Sequence, residues 1–345
     1  MITDPTIAFI EQHPGLFFLD ASNLGSLGEM LGRLGVLGKD ETVSTAVRAG
    51  EGNMNCVLRV KTSRRSLIMK QSRPWVEKYP QFEAPWDRAL READFYTAVA
   101  RIKPIAKRMP KLLAVDAESR LLVLEDLGAA SDFTDWYSGT RVMDTEISEF
   151  ADFLSTLHHA FLEKPPETPL VNREMRELNA RHIFRIPFQE DNGLDLNTVQ
   201  AGLAEASREI RGNVALREAA LRLEKEIYLA DGPCLLHGDF FPGSLLRTKT
   251  GLRVIDPEFG FMGRAEFDVG ICLAHFILSS QAAGHAERFL ALYRPVPNHS
   301  EELVRQIAGI EIIRRVLGYA QLPLQVSVER KMRWLWIARV WILGE

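Results

Sequence analysis

The most informative segment of the chain is residues 234–260, CLLHGDFFPGSLLRTKTGLRVIDPEFG. Leu235 and Leu236 end one predicted buried strand, and residues 252–255 form a second. Polar residues follow each strand: His237-Gly238-Asp239 after the first and Asp256-Pro257-Glu258 after the second. Acidic side chains grouped directly after buried strands are typical of a catalytic or binding site, since core packing alone does not call for them.

The acids of this stretch have the chemistry of a cation site. Asp256 and Glu258 are two positions apart, so on extended backbone their side chains project to the same side. Such a pair can share one hard cation through oxygen ligands, and Asp239 adds a third carboxylate on the neighbouring loop. These acids repel each other unless a cation or a cationic substrate neutralises them. Taken singly, each acid is better explained by helix capping or by pairing with an arginine.

A metal ion beside a separate aspartate base is what phosphoryl transfer from a nucleotide requires, and an upstream segment supplies the matching half. Gly50, Gly52 and Asn53 lie in a predicted turn between two strands, where backbone amides can approach phosphates closely. Lys70 ends the following strand, and Glu92 in the next predicted helix is its expected carboxylate partner. A glycine turn or a helical glutamate is a weak signal by itself.

Composition excludes several classes of protein. The 345 residues are 46% hydrophobic and 26% charged, as in an ordinary soluble globular protein, and the length predicts two lobes. Basic residues number 42 against 46 acids, so no overall positive field points to nucleic acid or to a membrane surface. Three cysteines do not make a disulfide framework, and the start lacks the pattern of a signal peptide. We therefore expect a cytoplasmic protein.

The predicted lobes are a small, sheet-rich N-terminal lobe at 1–127 and a larger helical lobe at 128–345. Strand-like runs are predicted at 43–47, 56–60, 66–71, 111–116 and 120–127, with a helix at 87–100. The segment 74–86, with three prolines, reads as an irregular loop. Where the lobes join, the backbone groups of Glu125-Asp126-Leu127 are candidates to bond an adenine edge. The apolar run 334–343 is too short to span a bilayer and reads as a buried final helix.

Together these motifs resemble the aminoglycoside phosphotransferase and choline kinase superfamily, which shares the protein-kinase fold, and within it the methylthioribose kinase family. The glycine loop reads GEGNMN at 50–55 where that family has GDGN-L-N, and DPEF stands at 256–259. The loop at 74–86 contains tryptophan, and a late helix carries the twin arginine Arg314-Arg315. The resemblance covers most of residues 42–325 and is weakest in 130–230.

The resemblance implies an α+β, bilobal, protein-kinase-like fold and an ATP- and Mg²⁺-dependent small-molecule kinase. It assigns ATP contacts to the glycine loop with Asn53, to Lys70 with its partner Glu92, and to Glu125, Asp126 and Leu127. It assigns Mg²⁺ to Asp256 and Glu258, with Ser244 in the same set, and makes Asp239 the acceptor of the sugar hydroxyl's proton. Substrate contacts fall to Trp86, Arg314 and Arg315, and structural roles in the catalytic loop to His237 and Asp268.

Two features of the site carry further expectations. Neighbouring helical residues point about 100° apart, so we expect only one of Arg314 and Arg315 to face the cleft. The family usually reads HGD-L-H-T-G-S, whereas this chain has Phe240, Phe241 and Pro242 after the aspartate. Two aromatic residues beside the base are expected to make the pocket drier or narrower.

The favoured acceptor is methylthioribose, phosphorylated at its anomeric hydroxyl, or a related sugar. Rival acceptors in the same class are an aminoglycoside, choline or ethanolamine, and homoserine. A rival from another class is a non-catalytic, nucleotide-binding pseudokinase, against which the joint retention of Lys70, Asp239, Asp256 and Glu258 argues. Expected partners are small molecules only, with neither nucleic acid nor membrane, and a homodimer is left open.

Overall fold

The computed structural model describes residues 5–50, 54–281 and 283–345. The chain divides into two compact units, Met1–Ala129 and Ala130–Glu345. The first is organised around an antiparallel sheet and the second mainly around helices, which is the α+β composition predicted from the sequence.

The N-terminal unit is built on a five-stranded antiparallel sheet in the order β1-β2-β3-β7-β6. Its strands are β1 (Val43–Arg48), β2 (Cys56–Thr62), β3 (Ser66–Gln71), β6 (Leu112–Asp116) and β7 (Leu121–Glu125). Buried and less buried residues alternate along β2, as expected of a strand with one face on a core. The strand predictions for this unit therefore hold to within a few residues at each end.

Helices cover this sheet and flank it. They are α1 (Pro5–Gln12), α2 (Leu24–Arg33), α3 (Arg88–Val99) and α4 (Lys103–Ala106). The side chain of Asn23 caps α2 by accepting the backbone N–H of Ser26 at 3.0 Å. One face of α2 is apolar, and Leu27 and Leu31 are buried with Leu58, Val60 and other strand residues in one core. The packing of this amphipathic face, more than helix propensity, stabilises so short a helix.

The segment 74–86 is not an irregular loop throughout. It contains a small antiparallel hairpin of β4 (Trp75–Val76) and β5 (Tyr79–Glu83), in which Trp75 pairs with Glu83. The prolines conceal this hairpin from sequence patterns, but a proline is compatible with a strand that has an open edge.

Buried Arg88 fastens this hairpin segment to the rest of the N-terminal unit. Its guanidinium donates to the side chain of Asn55 and to the backbone carbonyls of Met54, Arg73, Trp75 and Pro85, at 2.6–3.1 Å. One planar group with five N–H donors thereby satisfies carbonyls from three separate stretches of chain. Because its guanidinium makes all these hydrogen bonds, Arg88 can be fully buried although it is charged.

The second unit contains three small pairings of strands among many helices. The strands are β8 (Ser131–Asp132), β9 (Cys234–Leu236), β10 (Leu245–Thr248), β11 (Gly251–Val254) and β12 (Phe261–Gly263), paired as β8-β10-β11 and β9-β12. The helices are α5 (Asp144–His159), α6 (Arg173–Ala180), α7 (Leu196–Val199), α8 (Leu203–Ala206), α9 (Arg208–Arg211), α10 (Val214–Leu223), α11 (Glu266–Leu278), α12 (Ala283–Leu292), α13 (Glu301–Leu317) and α14 (Val328–Leu343). Short turns of 3₁₀ or π type lie at Thr134–Ser138, Arg181–Arg185, Ile186–Phe188, Glu224–Tyr228 and Pro242–Ser244.

Helix α13 forms the centre of this unit, packed between α11 and α14. Nearly every residue of α11 is buried, as in a helix that is surrounded by the core. Gly270 on α11 allows the close contact with α13, since a Cβ atom there would lie 2.8 Å from the carbonyl oxygen of Val304. A charged side chain on the inner faces of α13 is therefore surrounded by other parts of the protein and needs partners there.

The final helix α14 is only half buried. Trp334 and Leu335 are in the core, whereas Trp336, Ile337 and Val340 are exposed, which corrects the expectation of a buried final helix. Among the described residues, no helix combines the length and apolar character that crossing a membrane demands.

The contacts of Arg88 generate a stability prediction. Arg88→Met removes all its hydrogen bonds and leaves buried carbonyls without a donor, so we expect the free energy of unfolding to fall by about 3 kcal/mol or more. Urea denaturation measures it, with Arg91→Met as the control on the same helix, where the ion pair to Asp94 is partly exposed. The control should change stability by only about 0.5 kcal/mol. Equal losses in the two variants would contradict this role for Arg88.

Candidate active site

A tight backbone turn presents Asp239 at the end of β9. Strand β9 pairs with β12, so the chain that enters the His237-Gly238-Asp239 turn lies beside the chain that leaves the Asp256–Phe259 segment. Gly238 has φ of +83°, and a Cβ atom at this position would lie 2.2 Å from the carbonyl oxygen of Phe259. Only glycine combines this backbone conformation with so close an approach. The two acidic segments of the sequence are therefore neighbours in space.

The carboxylate of Asp268 holds this turn in place. It accepts the backbone N–H groups of His237 at 2.7 Å and Gly238 at 2.9 Å. His158 donates from Nε2 to the same carboxylate at 3.3 Å, and its other ring nitrogen contacts the hydroxyl of Tyr293 at 2.9 Å. Asp268 and His158 are both fully buried. These are the contacts of a structural brace, the role expected of Asp268.

His237 joins the same turn to the second acidic segment. Its Nε2 atom lies 3.0 Å from the carbonyl oxygen of Ile255, the residue before Asp256. Because a carbonyl only accepts, Nε2 carries the proton and Nδ1 is left to accept the backbone N–H of Asp239 at 3.4 Å. His237 therefore ties two loops together, as a structural residue does.

Asp256 and Glu258 form a pair of carboxylates after β11. A carboxylate oxygen of each lies within 4.8 Å of one on the other. Asp256 adopts φ of +65°, a left-handed conformation that aspartate tolerates better than most residues. Asn172 supports the segment by donating to the backbone carbonyls of Glu258 at 2.9 Å and Gly260 at 3.1 Å. The two acids fit a hard divalent cation by ligand type and by spacing.

Ser244 is connected through the backbone to the segment that carries this acidic pair. Its backbone carbonyl accepts the N–H of Ile255 at 3.0 Å, which sets Ser244 next to the residue that precedes Asp256. Its contribution to a metal site stays a prediction.

Both residues of the twin arginine reach Asp239. Arg315 lies 3.4 Å and Arg314 3.7 Å from the same oxygen, Oδ1, of Asp239. Both arginines therefore contact Asp239, and the expectation that only one of them faces the cleft stays a prediction. The arginine side chains are long enough to converge despite the 100° between their Cα–Cβ directions, and a shared anion on the same helix draws them together.

That anion is Glu311, one turn earlier on α13. Its carboxylate accepts Nε of Arg315 at 2.5 Å and a terminal nitrogen of Arg314 at 3.0 Å. It also contacts Nε2 of His275 at 3.2 Å. Burial favours the protonated form of the acid, but the charges of Arg314 and Arg315 outweigh it and hold the pKa of Glu311 well below 4.5. Glu311 is therefore a buried carboxylate anion.

The hydrogen bonds continue from Glu311 to two buried neutral groups. Burial lowers the pKa of His275 and raises that of Tyr137, so the imidazole and the phenol are both uncharged at neutral pH. The ionised Glu311 only accepts, so His275 donates from Nε2 and accepts the Tyr137 hydroxyl at Nδ1, 2.6 Å away. The result is an ordered chain of donors from Tyr137 through His275 to Glu311.

The two phenylalanines after Asp239 have different environments. Phe240 is fully buried and stacks on Phe153 with ring centroids 5.7 Å apart, so it belongs to the core. Phe241 carries the guanidinium of Arg315 over its ring at 4.6 Å. Successive residues project to opposite sides, so only Phe241 lies beside the arginines. The expectation that the two aromatics make the pocket drier or narrower stays a prediction.

In the N-terminal unit, Lys70 and Glu92 form the expected ion pair. Nζ of Lys70 lies 2.6 Å from Oε2 of Glu92, and both side chains are almost entirely buried. Gly50 has φ of +68° in the turn after β1. Gly52 and Asn53 lie outside the described residues, so their contacts with ATP stay predictions.

The segment predicted to bond adenine is already engaged in part. The backbone N–H of Glu125 donates to Lys111 at 2.9 Å, and its side chain accepts the N–H of Lys111 at 3.2 Å. The carboxylate of Asp126 binds Arg59, Ser66 and the N–H of Gly128. The N–H of Glu125 is therefore already hydrogen-bonded within the sheet. Contacts of the other backbone groups of Glu125, Asp126 and Leu127 with adenine stay a prediction.

Trp86 packs within its own unit. Its ring lies edge-on to Phe9 at 5.3 Å and under the guanidinium of Arg120 at 4.1 Å. These contacts explain the tryptophan structurally, and its contact with substrate stays a prediction.

Comparison with known proteins places this geometry in a family. The family model described as "Phosphotransferase enzyme family" matches residues 45–303, three quarters of the chain. The chain belongs to this phosphotransferase family. The match includes the lysine strand, the His237–Asp239 turn and the Asp256–Glu258 pair, and it confirms the resemblance stated from the motifs.

Relatives within the phosphotransferase family include several methylthioribose kinases. The chain is 26% identical over 264 residues to that of Exiguobacterium sibiricum, covering 73% of this chain and 65% of the relative. It is 30% identical over 262 residues to that of Pectobacterium atrosepticum, covering 71% and 62%. A third, from Cronobacter sakazakii, is 26% identical over 83% of each chain. The chain thus spans less than two thirds of the length of the first two relatives.

Solved structures confirm the α+β, protein-kinase-like fold class. Choline kinase LicA from Streptococcus pneumoniae matches with a TM-score of 0.54 at 17% identity, over 92% of this chain and 98% of that one. The ADP-bound aminoglycoside phosphotransferase APH(2'')-Ib matches with a TM-score of 0.52 at 14% identity, over 94% and 100%. At these identities the likeness is one of fold.

Several residues of this candidate site were not predicted from the sequence. Glu311, His275 and Tyr137 form the support behind the arginines, and Asn172 supports the acidic pair. The spacing of Glu311 to Arg314 and Arg315, three and four positions along one helix, was a readable signal. The others come from distant parts of the chain and carry no local pattern.

Gly238 provides a test of the close approach between the two acidic segments. Gly238→Ala and Gly202→Ala both place a side chain at φ of +83°, but a Cβ atom has no neighbour within 4 Å at Gly202. The backbone cost, about 1–2 kcal/mol, is therefore common to both. We expect Gly238→Ala to lose at least about 2 kcal/mol more in urea denaturation, because the Phe259 carbonyl must move. Equal losses would show that the segments do not pack as described.

The ionised state of buried Glu311 predicts an acid-dependent stability. Its pKa is lower in the folded chain than the 4.5 of an unperturbed glutamate, so its contribution is complete above pH 4.5 and is lost as the pH falls below that value. Urea denaturation between about pH 5 and pH 3 should show a steeper loss for the parent than for Glu311→Gln. Glu302→Gln, exposed at the start of the same helix, should follow the parent. Parallel curves for Glu311→Gln and the parent would contradict an ionised buried Glu311.

Proposed function

We propose that this chain is an ATP-dependent kinase that transfers the γ-phosphoryl group to a sugar hydroxyl, and that the sugar is methylthioribose or a close relative. One observation carries the proposal: Asp239 is held by two guanidiniums at the end of a braced turn, in a member of a phosphotransferase family. The methylthioribose kinases among its relatives support the choice of sugar.

Asp239 is the proposed proton acceptor. Its side chain keeps 16% of its surface exposed while Glu311, Asp268 and His275 around it are buried, so it is the acid that an acceptor can reach. The acceptor oxygen forms a bond to the γ-phosphorus as the bond to the β-phosphate oxygen breaks, and ADP leaves. The hydroxyl proton passes to Asp239. Holding the carboxylate in one orientation contributes to the rate because it positions the attacking oxygen.

Asp256 and Glu258 are the proposed ligands of Mg²⁺, with Ser244 beside them. Their spacing within 4.8 Å and the carbonyls fixed by Asn172 support a shared cation. An ion held there would neutralise charge on the phosphate oxygens of the nucleotide. The protein itself holds the carboxylates of Asp256 and Glu258 in the segment after β11, where Asp256 has a left-handed backbone conformation.

Nucleotide contacts are proposed for the N-terminal unit. Glu92 holds the ammonium of Lys70 in a fixed, dry position, which supports a role for Lys70 on the phosphates of ATP. Gly50, Gly52 and Asn53 are proposed for the phosphates, and Glu125, Asp126 and Leu127 for the adenine. Trp86 remains a proposed substrate contact.

The twin arginine favours a neutral acceptor over a cationic one. Two guanidiniums beside Asp239 repel an ammonium group, which disfavours choline, ethanolamine and aminoglycosides as acceptors. A pseudokinase is disfavoured by the buried Lys70–Glu92 pair together with the retained acids. The three free, buried cysteines suit the reducing cytoplasm, where we propose that the protein works.

Turnover by Asp239→Asn tests this function. The amide keeps the shape of the side chain but removes the base, so kcat with ATP and methylthioribose should fall about 10²–10⁴-fold. A coupled assay for ADP formation measures it with a panel of sugars, choline and an aminoglycoside. Asp144→Asn, exposed at the start of α5, is the matched control and should keep the parent's rate.

Three outcomes would contradict the proposal. Turnover of choline or an aminoglycoside in preference to every sugar would overturn the acceptor, and equal rates for Asp239→Asn and the parent would overturn the base. Absence of turnover in the parent with every acceptor, while ADP still raises its melting temperature, would indicate a pseudokinase.

A further inference from the structure

We propose that Glu311 is a positioning residue for phosphoryl transfer: its buried carboxylate holds Arg314 and Arg315 together so that both guanidiniums remain on Asp239. The inference rests on the proposed function, because it takes Asp239 as the proton acceptor. It adds a residue that touches neither the acceptor nor the nucleotide.

Helix geometry places Glu311 for this task. Residues three and four positions apart lie on the same side of a helix, so one carboxylate at 311 reaches the side chains of both 314 and 315. Arg315 uses Nε for Glu311 and a terminal nitrogen for Oδ1 of Asp239. Arg314 contacts both carboxylates through one terminal nitrogen. Arg315 is fixed further by the face of the Phe241 ring. The two arginines thereby connect the buried carboxylate of Glu311 to the partly exposed carboxylate of Asp239.

Charge balance explains why a second anion is needed. Two buried guanidiniums require counter-ions, and an uncompensated buried charge is strongly destabilising. Glu311 and Asp239 together supply two negative charges for two positive ones. The other titratable groups nearby are His275 on α11, Tyr137, Tyr228 and His182, and burial keeps each of these four in its uncharged form at neutral pH.

Removing the charge of Glu311 would therefore act on Asp239. Asp239 would then be the remaining counter-ion of both guanidiniums, which would draw its Oδ1 more tightly toward them and away from an acceptor hydroxyl. The arginines would also lose the hydrogen bonds that orient them. Both effects lower the rate of transfer without removing any group that contacts the reactants.

The chain of hydrogen bonds behind Glu311 supports this positioning role. His275 donates to Oε1 of Glu311, the oxygen that also accepts the Nε–H of Arg315, and it accepts the hydroxyl of Tyr137. The carboxylate is therefore restrained by a partner outside α13. An acid needed only to neutralise charge would not require such an orienting partner. A side chain locked by packing and further hydrogen bonds holds its neighbours to the small tolerances that catalysis needs.

The test compares the parent with Glu311→Gln, Glu311→Asp and the control Glu302→Gln in two measurements. The first is kcat and KM for ATP and methylthioribose. We expect Glu311→Gln to lower kcat on the order of 10²-fold while KM for ATP stays near the parent's. Glu311→Asp keeps the charge, so its kcat should return toward the parent's. Glu302→Gln should match the parent throughout.

The second measurement does not depend on activity. In protein labelled with ¹⁵N-arginine, the Nε–H of Arg315 is assigned by its loss in Arg315→Lys, and its hydrogen exchange with solvent is followed. The bond from this group to Glu311 predicts slow exchange in the parent and fast exchange in Glu311→Gln. Should Glu311→Gln fail to fold, Glu311→Asp takes its place, with a smaller acceleration expected because the shorter side chain reaches less far.

The outcomes separate the inference from the function on which it rests. An active parent whose kcat and Arg315 exchange are unchanged in Glu311→Gln overturns the positioning role. A variant that loses only melting temperature, with kcat per folded molecule intact, also overturns it. If the parent transfers phosphate to no acceptor, the proposed function fails, and the exchange measurement alone decides whether Glu311 holds the arginines.

Discussion

The carboxylate of Asp268 is the constraint on which the site depends. A fully buried carboxylate must be given hydrogen-bond donors, and two of its donors are the backbone N–H groups of His237 and Gly238. Only a sharply turned chain presents two successive N–H groups to one carboxylate, and Gly238 supplies the positive φ for that turn. The direction in which Asp239 leaves the backbone is thus fixed by an acid on a different element, the core helix α11.

A second layer of polar groups fixes the other end of the Asp239 side chain. The backbone is held from α11, and the carboxylate is held from α13 by Arg314 and Arg315, which in turn are held by Glu311. The two helices pack directly against each other, so Asp239 is restrained from two sides by elements of one core. In the proposed reaction, such restraint would reduce the reorganisation needed when an acceptor hydroxyl arrives.

Features that depend on local sequence were predictable. The strands of the N-terminal sheet follow from short apolar runs between turns, and the partnership of Lys70 with Glu92 follows from the motif and its resemblance. The hairpin at 74–86 was missed because prolines mask its alternation. Long-range packing was not predictable: nothing local places Phe240 in the core and Phe241 under an arginine. The same holds for His275 and Tyr137, which meet Glu311 from distant positions, and for the convergence of both arginines on one oxygen.

Transfer of the γ-phosphoryl group of ATP to a sugar hydroxyl can be followed in the ³¹P spectrum of the parent chain incubated with ATP, Mg²⁺ and methylthioribose. ADP and a sugar phosphate monoester should appear in equal amounts, with the new phosphorus signal coupled to the anomeric proton. Formation of ADP with inorganic phosphate alone, or ATP left intact beside every sugar offered, would rule out this activity.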